Sequence, residues 1–485
     1  MTARERYEPT LDSLRRHAVP EWYHDAKLGI FIHWSISSVP AFAPRDADIH
    51  EILRTSYEDA QACSPYAEWY ENSLRFPWSP VAQHHRATYG DKPYAAFQAE
   101  FEAGLAAWQP DEWADAFARA GARYVVLVTK HHDGYCLWPS AVSNPHRSGW
   151  QAPRDVVGDL AAAVRARGMR FGTYYSGGID WTFDATPLRT LGDVVVATPR
   201  GDYPVYAEAQ VRELIARVHP DVLWNDIAWP TGLPALLRLF ADYYNTIPEG
   251  VLNDRWMTPN WLTSVLRVRP LRRMFDLAVK RAIRRTGTDL TPPRPAHCDV
   301  RTPEYAAYPA ARRTKWECVR GIDKSFGYNR NSREEDFLPR RELIWSLVDI
   351  VAKNGNLLLN VGPRGDDAGI PEVQVRRLEW LRSFLQRSGE AIYGTRPWTR
   401  AEGRTDQDVG VRFTQRGGTL YAILLGSPRG RVITLKDLPV PAPARVDLLG
   451  AGPVPVEASG EDLRIGLPDA LPDEPAHAFA IRSQP

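Results

Sequence analysis

The stretch Asp221-Val222-Leu223-Trp224-Asn225-Asp226-Ile227-Ala228-Trp229-Pro230 reads as a short buried strand that stops on a carboxylate. His219-Pro220 closes the helix before it, and Trp229-Pro230 ends the run. Apolar strands with polar groups at their C-terminal ends are the units from which parallel barrels build active sites. Asp226 is therefore a candidate catalyst. Trp224 and Trp229 flank it, and because aromatic faces stack on sugar C–H groups the stretch points to a carbohydrate-shaped pocket.

The same helix–strand unit occurs twice upstream. Pro110 and Asp111 open a helix with Trp113, Phe117 and Ala120 at helical spacing; Gly121 closes it, and Tyr124 to Thr129 is an apolar strand running into Lys130-His131-His132-Asp133-Gly134. Asp155 to Arg167 is the next helix, followed by the strand Arg170 to Tyr175 and then Ser176-Gly177-Gly178. Tyr206 to Val218 is the helix that delivers the opening stretch. Three such units in succession predict a parallel α/β array, and the polar strand ends favour a barrel over an open sheet. Gly29 to Ile32, ending at His33-Trp34, is an earlier strand; Val251 to Trp256 and Asn356 to Val361 are later ones. No G-x-G-x-x-G or P-loop follows any of them, so no nucleotide cofactor is implied.

Other segments differ in texture. Ala41 to Glu100 has poor periodicity and dense aromatics, as in Tyr66-Ala67-Glu68-Trp69-Tyr70, and reads as a long irregular segment roofing a pocket. From Thr258 to Pro295 the chain is basic, with Arg267, Arg269, Arg272, Arg273, Lys280, Arg281, Arg284 and Arg285; it reads as an exposed helix-bearing insertion with a solvated cationic face, a homo-oligomer contact being the alternative. After Gly394 come short strands punctuated by Gly and Pro, the pattern of a β-sandwich. The expected division is a barrel domain over residues 1–393, with the basic insertion at 258–297, and a sandwich domain over 394–485.

Composition removes several function classes. The 485 residues carry 60 Lys plus Arg against 59 Asp plus Glu, so no overall field favours nucleic acid or an anionic membrane. No stretch is apolar for the roughly 20 residues a bilayer requires, and Met1 to Pro20 has no apolar core of signal-peptide length, which is the expectation for a cytoplasmic protein. Cys63, Cys136, Cys298 and Cys318 lack metal-like spacing and predict buried free thiols.

The motifs GIFIHW, YAEWY, TKHHDGYCLW, FGTYYS, DVLWND, VLNDRW, TPEY, KWE, SFGYN and GNLLLNVGP occur in that order between residues 22 and 397. Together they resemble the glycoside hydrolase family 29 α-L-fucosidases. The resemblance implies a (β/α)8-like, TIM-type barrel with some helices missing or displaced, followed by a C-terminal β-sandwich, with no metal and no cofactor. It implies a fucosylated oligosaccharide or glycoconjugate as substrate. Asp226, in the WND position, is then implied to be the nucleophile, and Glu304, in TPEY, the general acid/base. His33, Glu68, Trp69, His131, His132, Tyr174, Trp224 and Arg255 match positions that line the fucose pocket; Trp229 is read as packing. Two departures stand out. Ser35 follows Trp34 where the family commonly has glycine, and the insertion between Arg255 and Glu304 is longer than the family pattern, so it is expected to reshape the leaving-group side. Glu317 and Glu68 are the fallback carboxylates for the acid, with a structural ion pair the preferred reading of Glu317.

The expected activity is that of an exo-acting retaining α-L-fucosidase. Such an enzyme needs one carboxylate to attack the anomeric carbon and a second carboxyl, about 5–5.5 Å away, to protonate the leaving oxygen and later deprotonate water. Two rivals remain. A metal-dependent barrel hydrolase would use His33, His131, His132 and Asp226, although adjacent histidines on a strand face opposite ways and lack metal-site spacing. A non-catalytic fucose-binding protein would need one of the two carboxyls to be missing.

Overall fold

The computed structural model describes residues 6–287, 293–438 and 444–483; residues 288–292 of the basic insertion lie outside the described residues. Seven parallel strands form one sheet: β1 (Leu28–Ile32), β2 (Tyr124–Lys130), β3 (Arg170–Tyr175), β4 (Val222–Asn225), β5 (Val251–Leu252), β6 (Trp316–Gly321) and β7 (Gly355–Val361). Their order is β5-β4-β3-β2-β1-β7-β6. Residues 299–305 join its two edges. The Asp299 and Val300 N–H groups donate to the Leu252 carbonyl of β5 at 3.0 and 3.2 Å, while Arg301 and Glu304 pair in parallel with Trp316 and Val319 of β6. This irregular eighth member completes the TIM-like barrel, and Glu304 sits on it.

The period of two along each strand sorts the side chains. Tyr124, Val126, Val128, Val222 and Trp224 share an interior cluster with Phe31, Tyr174, Val319 and Leu358. Val125, Leu127, Leu223, Leu357 and Leu359 face the opposite way, into the layer between sheet and helices. Gly29 is required at its place in β1, since a Cβ there would lie 2.3 Å from the Tyr124 ring. The helices carry the expected punctuation. Pro110–Ala120 has Pro in its first turn with Asp111 and Glu112, and closes on left-handed Gly121. Tyr203–Val218 closes on left-handed His219, after which Pro220 cannot continue the helix.

The reading of residues 41–100 as irregular is corrected. The segment holds the helices Ile49–Thr55, Tyr70–Leu74, Pro80–Tyr89 and Gln98–Ala107. Each spans at most 10 residues, too short for an apolar face to repeat within the window where periodicity shows. Two of them are started by caps instead: the Asp48 side chain accepts from Glu51 N–H, and that of Ser79 from Ala82 N–H. A tight turn at Ala67–Trp69 delivers Glu68 to the pocket.

The insertion contains the helices Trp261–Leu266 and Arg269–Thr286. Its outer surface is not purely cationic, as the charge run implied: Trp261 is 77% and Met274 66% exposed, beside Leu277 and Val268. Its inner face is pinned by Asp276, by an Arg272–Asp193 ion pair at 3.1 Å and by one between Lys280 and Glu58. Beyond Arg396 the chain forms antiparallel sheets of six and three strands around Phe413, Leu424, Ile433, Leu463 and Phe479. All four thiols are free, but Cys63 and Cys298 are only partly buried, contrary to expectation. Among the described residues no helix is long and apolar enough to cross a membrane.

Candidate active site

The residue after β4 is Asp226, and its backbone is tied on both sides. Its N–H donates to the Tyr175 carbonyl at 3.1 Å, and its own carbonyl accepts from Gly178 N–H at 3.1 Å. Ile227 then adopts φ 64°, a left-handed conformation that a β-branched residue takes only under constraint. A Cβ on Gly178 would come within 2.7 Å of Ile227 Cβ, so the glycine is what lets the two loops meet. The reward is an extra donor: Ile227 N–H reaches Asp226 Oδ1 at 2.8 Å. Arg255 Nη1 donates to the same oxygen at 2.9 Å, and the Tyr174 hydroxyl donates to Oδ2 at 2.7 Å.

The other arm of Arg255, Nη2, forms an ion pair with Glu304 Oε1, so one guanidinium holds both carboxylates. Burial opposes the charge on Arg255, but Glu304, Asp226 and Asp254 keep its pKa above the ordinary value. Its plane lies over Trp224, 4.7 Å from the ring centroid. Glu304 is held from behind as well. Thr302 donates through Oγ1 to Asp254 Oδ1 at 2.6 Å, and Tyr305 N–H donates to the Val319 carbonyl at 2.9 Å. Tyr305, like Ile227, is left-handed, with φ 49°. These anchors flank Glu304 just beyond the insertion and fix the acidic residue's register against β5 and β6.

The three histidines are neutral. Burial pushes His33 down to about 4 and holds His131 and His132 well below the ordinary imidazole value, and for His132 the Lys130 ammonium adds to the effect. Their tautomers follow from the network. Asn360 donates its amide to the Phe326 carbonyl and accepts from His33 Nδ1 at 2.5 Å. Ser176 donates to the Ile179 carbonyl at 2.6 Å and accepts from His132 Nδ1 at 2.6 Å. Both rings are thereby left with an Nε2 lone pair, and His132 Nε2 stands 4.0 Å from Asp226 Oδ2. Such acceptors suit hydroxyl groups. Glu68, whose Oε2 accepts from Gly327 N–H at 2.7 Å, is pushed up to about 8 by burial and so carries a proton near neutrality, making it a donor.

All ten residues singled out from the sequence, His33, Glu68, Trp69, His131, His132, Tyr174, Trp224, Asp226, Arg255 and Glu304, line one cavity of about 180 Å³. Glu317 lies beneath it and is not an ion pair: its Oε1 accepts from Tyr23 and Tyr124, each at 2.6 Å, and its Oε2 from the Trp224 indole at 3.3 Å. Trp229 is fully buried against Trp256 and outside the lining. Ser35 has φ −158°, extended backbone open to any residue, so its replacement of glycine needs no adjustment. Sequence reasoning missed Phe31, Tyr66, Phe326 and Ile227, although each lay inside a quoted stretch, and it missed Ile49, Leu53, Gln61, Leu191, Val194 and Val319, which carried no signal. Among the described residues no group of three or more His, Cys, Asp or Glu side chains is arranged to hold a metal ion.

Comparison with known proteins places this geometry. A family model described as Alpha-L-fucosidase matches residues 1–390. The solved alpha-fucosidase of Thermotoga maritima in complex with fucose is 41% identical, covers 98% of this chain and 100% of its own, and superposes with a TM-score of 0.81. The same protein in complex with a mechanism based inhibitor gives 40% identity, the same coverage and a TM-score of 0.82. The Alpha-L-fucosidase of Branchiostoma floridae is 32% identical over 486 residues, 96% of this chain and 92% of that protein. The chain belongs to the α-L-fucosidase family of glycoside hydrolases.

Proposed function

We propose that the chain is an exo-acting α-L-fucosidase that works with retention, with Asp226 as nucleophile and Glu304 as general acid/base. The observation that carries this reading is the single guanidinium of Arg255 shared between the two carboxylates. Two carboxylates held by the arms of one fork lie close together, which suits a retaining pair, typically about 5–5.5 Å apart, better than an inverting pair, which stands about 6.5–9.5 Å apart to seat a water. The cavity is smaller than the roughly 300–1,000 Å³ of drug-sized sites and is closed below by strand ends, which suits one terminal sugar.

In the first step Asp226 attacks the anomeric carbon while Glu304 gives its proton to the departing oxygen. In the second Glu304 takes a proton from water, which displaces Asp226. Tyr174, Arg255 and Ile227 N–H hold the attacking carboxylate in one orientation, so little reorganisation is needed at the transition state. Glu304 must be protonated before the aglycone leaves; with the proton on one oxygen, the other can still accept from Arg255, so the fork persists as the acid forms. The Nε2 atoms of His33 and His132 accept from sugar hydroxyls and the Glu68 carboxyl donates to one, while Trp224 and Phe31 offer apolar surface to the sugar's methyl group.

Hydrolysis of an aryl α-L-fucoside tests the reading, and it is expected to survive prolonged chelation. Activity lost to chelator and restored by a divalent ion would favour the metal-dependent rival. Fucose binding without turnover of any α-L-fucoside would favour a lectin-like role.

A further inference from the structure

The cavity lining divides by origin. Its polar groups stand mainly on strand ends, whereas Ile49 and Leu53 come from the helix Ile49–Thr55 in the connection after β1, and Leu191 and Val194 from the helix Leu191–Val195 in the connection after β3. Leu191 packs with Ile49 and Leu53 in one apolar cluster; Val194 and Ile227 pack in a second, with Trp69 and Trp181; Tyr66 belongs to both. The aliphatic surface is therefore continuous from the residue beside Asp226 outward to Ile49. Tyr66 also stands near Glu304, and its buried hydroxyl has no hydrogen-bond partner.

The insertion braces this surface from behind. Asp276 Oδ1 accepts from the Tyr57 hydroxyl at 2.8 Å and from Gly192 N–H at 2.9 Å, and Oδ2 accepts from Thr190 Oγ1 at 3.0 Å. One carboxylate thus ties the insertion to both segments that supply the aliphatic side chains. A Cβ at Gly192 would lie 2.6 Å from that carboxylate, so glycine is what permits the approach. Val279 and Ile283, on the same helix as Asp276, pack on the cluster of Ile49 and Leu53. Tyr66, shared by the two clusters and close to Glu304, carries the braced surface to the side of the acid, where the leaving group must lie.

We propose that this surface is an apolar leaving-group subsite selecting α-L-fucosides whose aglycone presents an alkyl or aryl face, and that Asp276 is the positioning residue holding it in place. The proposal rests on the fucosidase reading above. Kinetics on methyl, butyl and octyl α-L-fucoside, with α-L-fucosyl fluoride as the reference lacking an organic aglycone, test it. KM is expected to fall roughly two- to fourfold for each of the first few methylenes, with kcat nearly independent of chain length. A KM independent of chain length overturns the subsite and leaves the fucosidase reading standing. No turnover of any of these compounds overturns that reading and this one with it. Asp276→Ala should flatten the chain-length dependence, lowering the methyl-to-octyl KM ratio at least about tenfold; a merely destabilised enzyme would lose kcat on every substrate alike. The pair Leu191→Ser and Val194→Ser, at half-buried positions, repeats the test if Asp276→Ala does not fold. A retained chain-length dependence in a folded variant contradicts the proposal.

Discussion

Asp226, Tyr174, Trp224 and the histidines stand on or beside strand ends whose backbones are hydrogen-bonded to neighbours, whereas Ile49, Leu53, Leu191 and Val194 stand on helices of 7 and 5 residues in the connections above. The floor is polar, buried and cross-linked, so moving one group leaves another without its partner, and a buried unpaired group is costly. The rim is aliphatic and held by packing, by the Asp276 carboxylate and by ion pairs from the insertion to Asp193 and Glu58. A family can keep such a floor for one sugar and vary such a rim for different aglycones. Damage to the floor should therefore appear in the chemical step, and damage to the rim in KM for particular leaving groups.

The sharpest way to break that distinction is at the nucleophile. Asp226→Gly is expected to lower kcat at least about 10⁴-fold on every fucoside, with azide restoring part of the turnover as β-fucosyl azide, read by product analysis. A loss confined to some aglycones would place Asp226 on the rim side. Glu304→Ala is expected to cost about 10²–10⁴-fold on fucosides with poor leaving groups and far less on activated aryl fucosides, because only the former need a proton. Steady-state rates across leaving groups of graded acidity measure this, and an equal loss on all of them would move the acid role elsewhere.

Two groups of the floor write its burial into stability against pH. His33, with its pKa near 4 in the fold against about 6.5 when unfolded, contributes stability at neutral pH that is lost as pH falls from about 6.5 to about 4. Glu68 runs the other way: raised to about 8 by burial, it costs stability as pH rises from about 4.5 to about 8. Glu68→Gln should remove this residue's share of the decline, about 3–4 kcal/mol across pH 5 to 8, in urea titrations over that range. An unchanged slope would mean that Glu68 is ionised in the fold. The smallest expected effect is at the seam between floor and rim. Ile227→Gly relieves about 1–2 kcal/mol of left-handed strain but removes apolar contacts and frees the backbone. Net stability should change by less than about 1 kcal/mol while kcat drops severalfold. Unchanged kcat would show that the strained turn does not position Asp226.

The fold of the floor is readable in the sequence because short apolar strands, each ending in polar residues, announce a parallel array with its chemistry at the strand ends, whereas the membership of the site, Asp226 apart, comes from the family resemblance. Asp226 followed from a strand that stops on a carboxylate, and Trp229 was rightly read as packing. The rim was not readable, since helices of 5 to 7 residues show no periodic face and Ile49 or Leu191 look like any core residue. Closure of the barrel was hidden for a related reason. β5 is legible at Val251 although it is only 2 residues long, but the segment that pairs with it carries Pro303 and departs from regular strand geometry, so that segment does not read as a strand. Glu317 was misread as an ion pair because its partners, Tyr23, Tyr124 and Trp224, are distant in sequence and uncharged.

Retention through Asp226 is the central claim, and proton NMR of the sugar released in the first moments of hydrolysis tests it most directly. The first-formed product should be α-L-fucose, with the β anomer growing in only as mutarotation proceeds. Initial release of β-L-fucose would mean direct displacement by water, and would contradict both the nucleophile assignment and the reading of the Arg255 fork as the grip of a retaining pair.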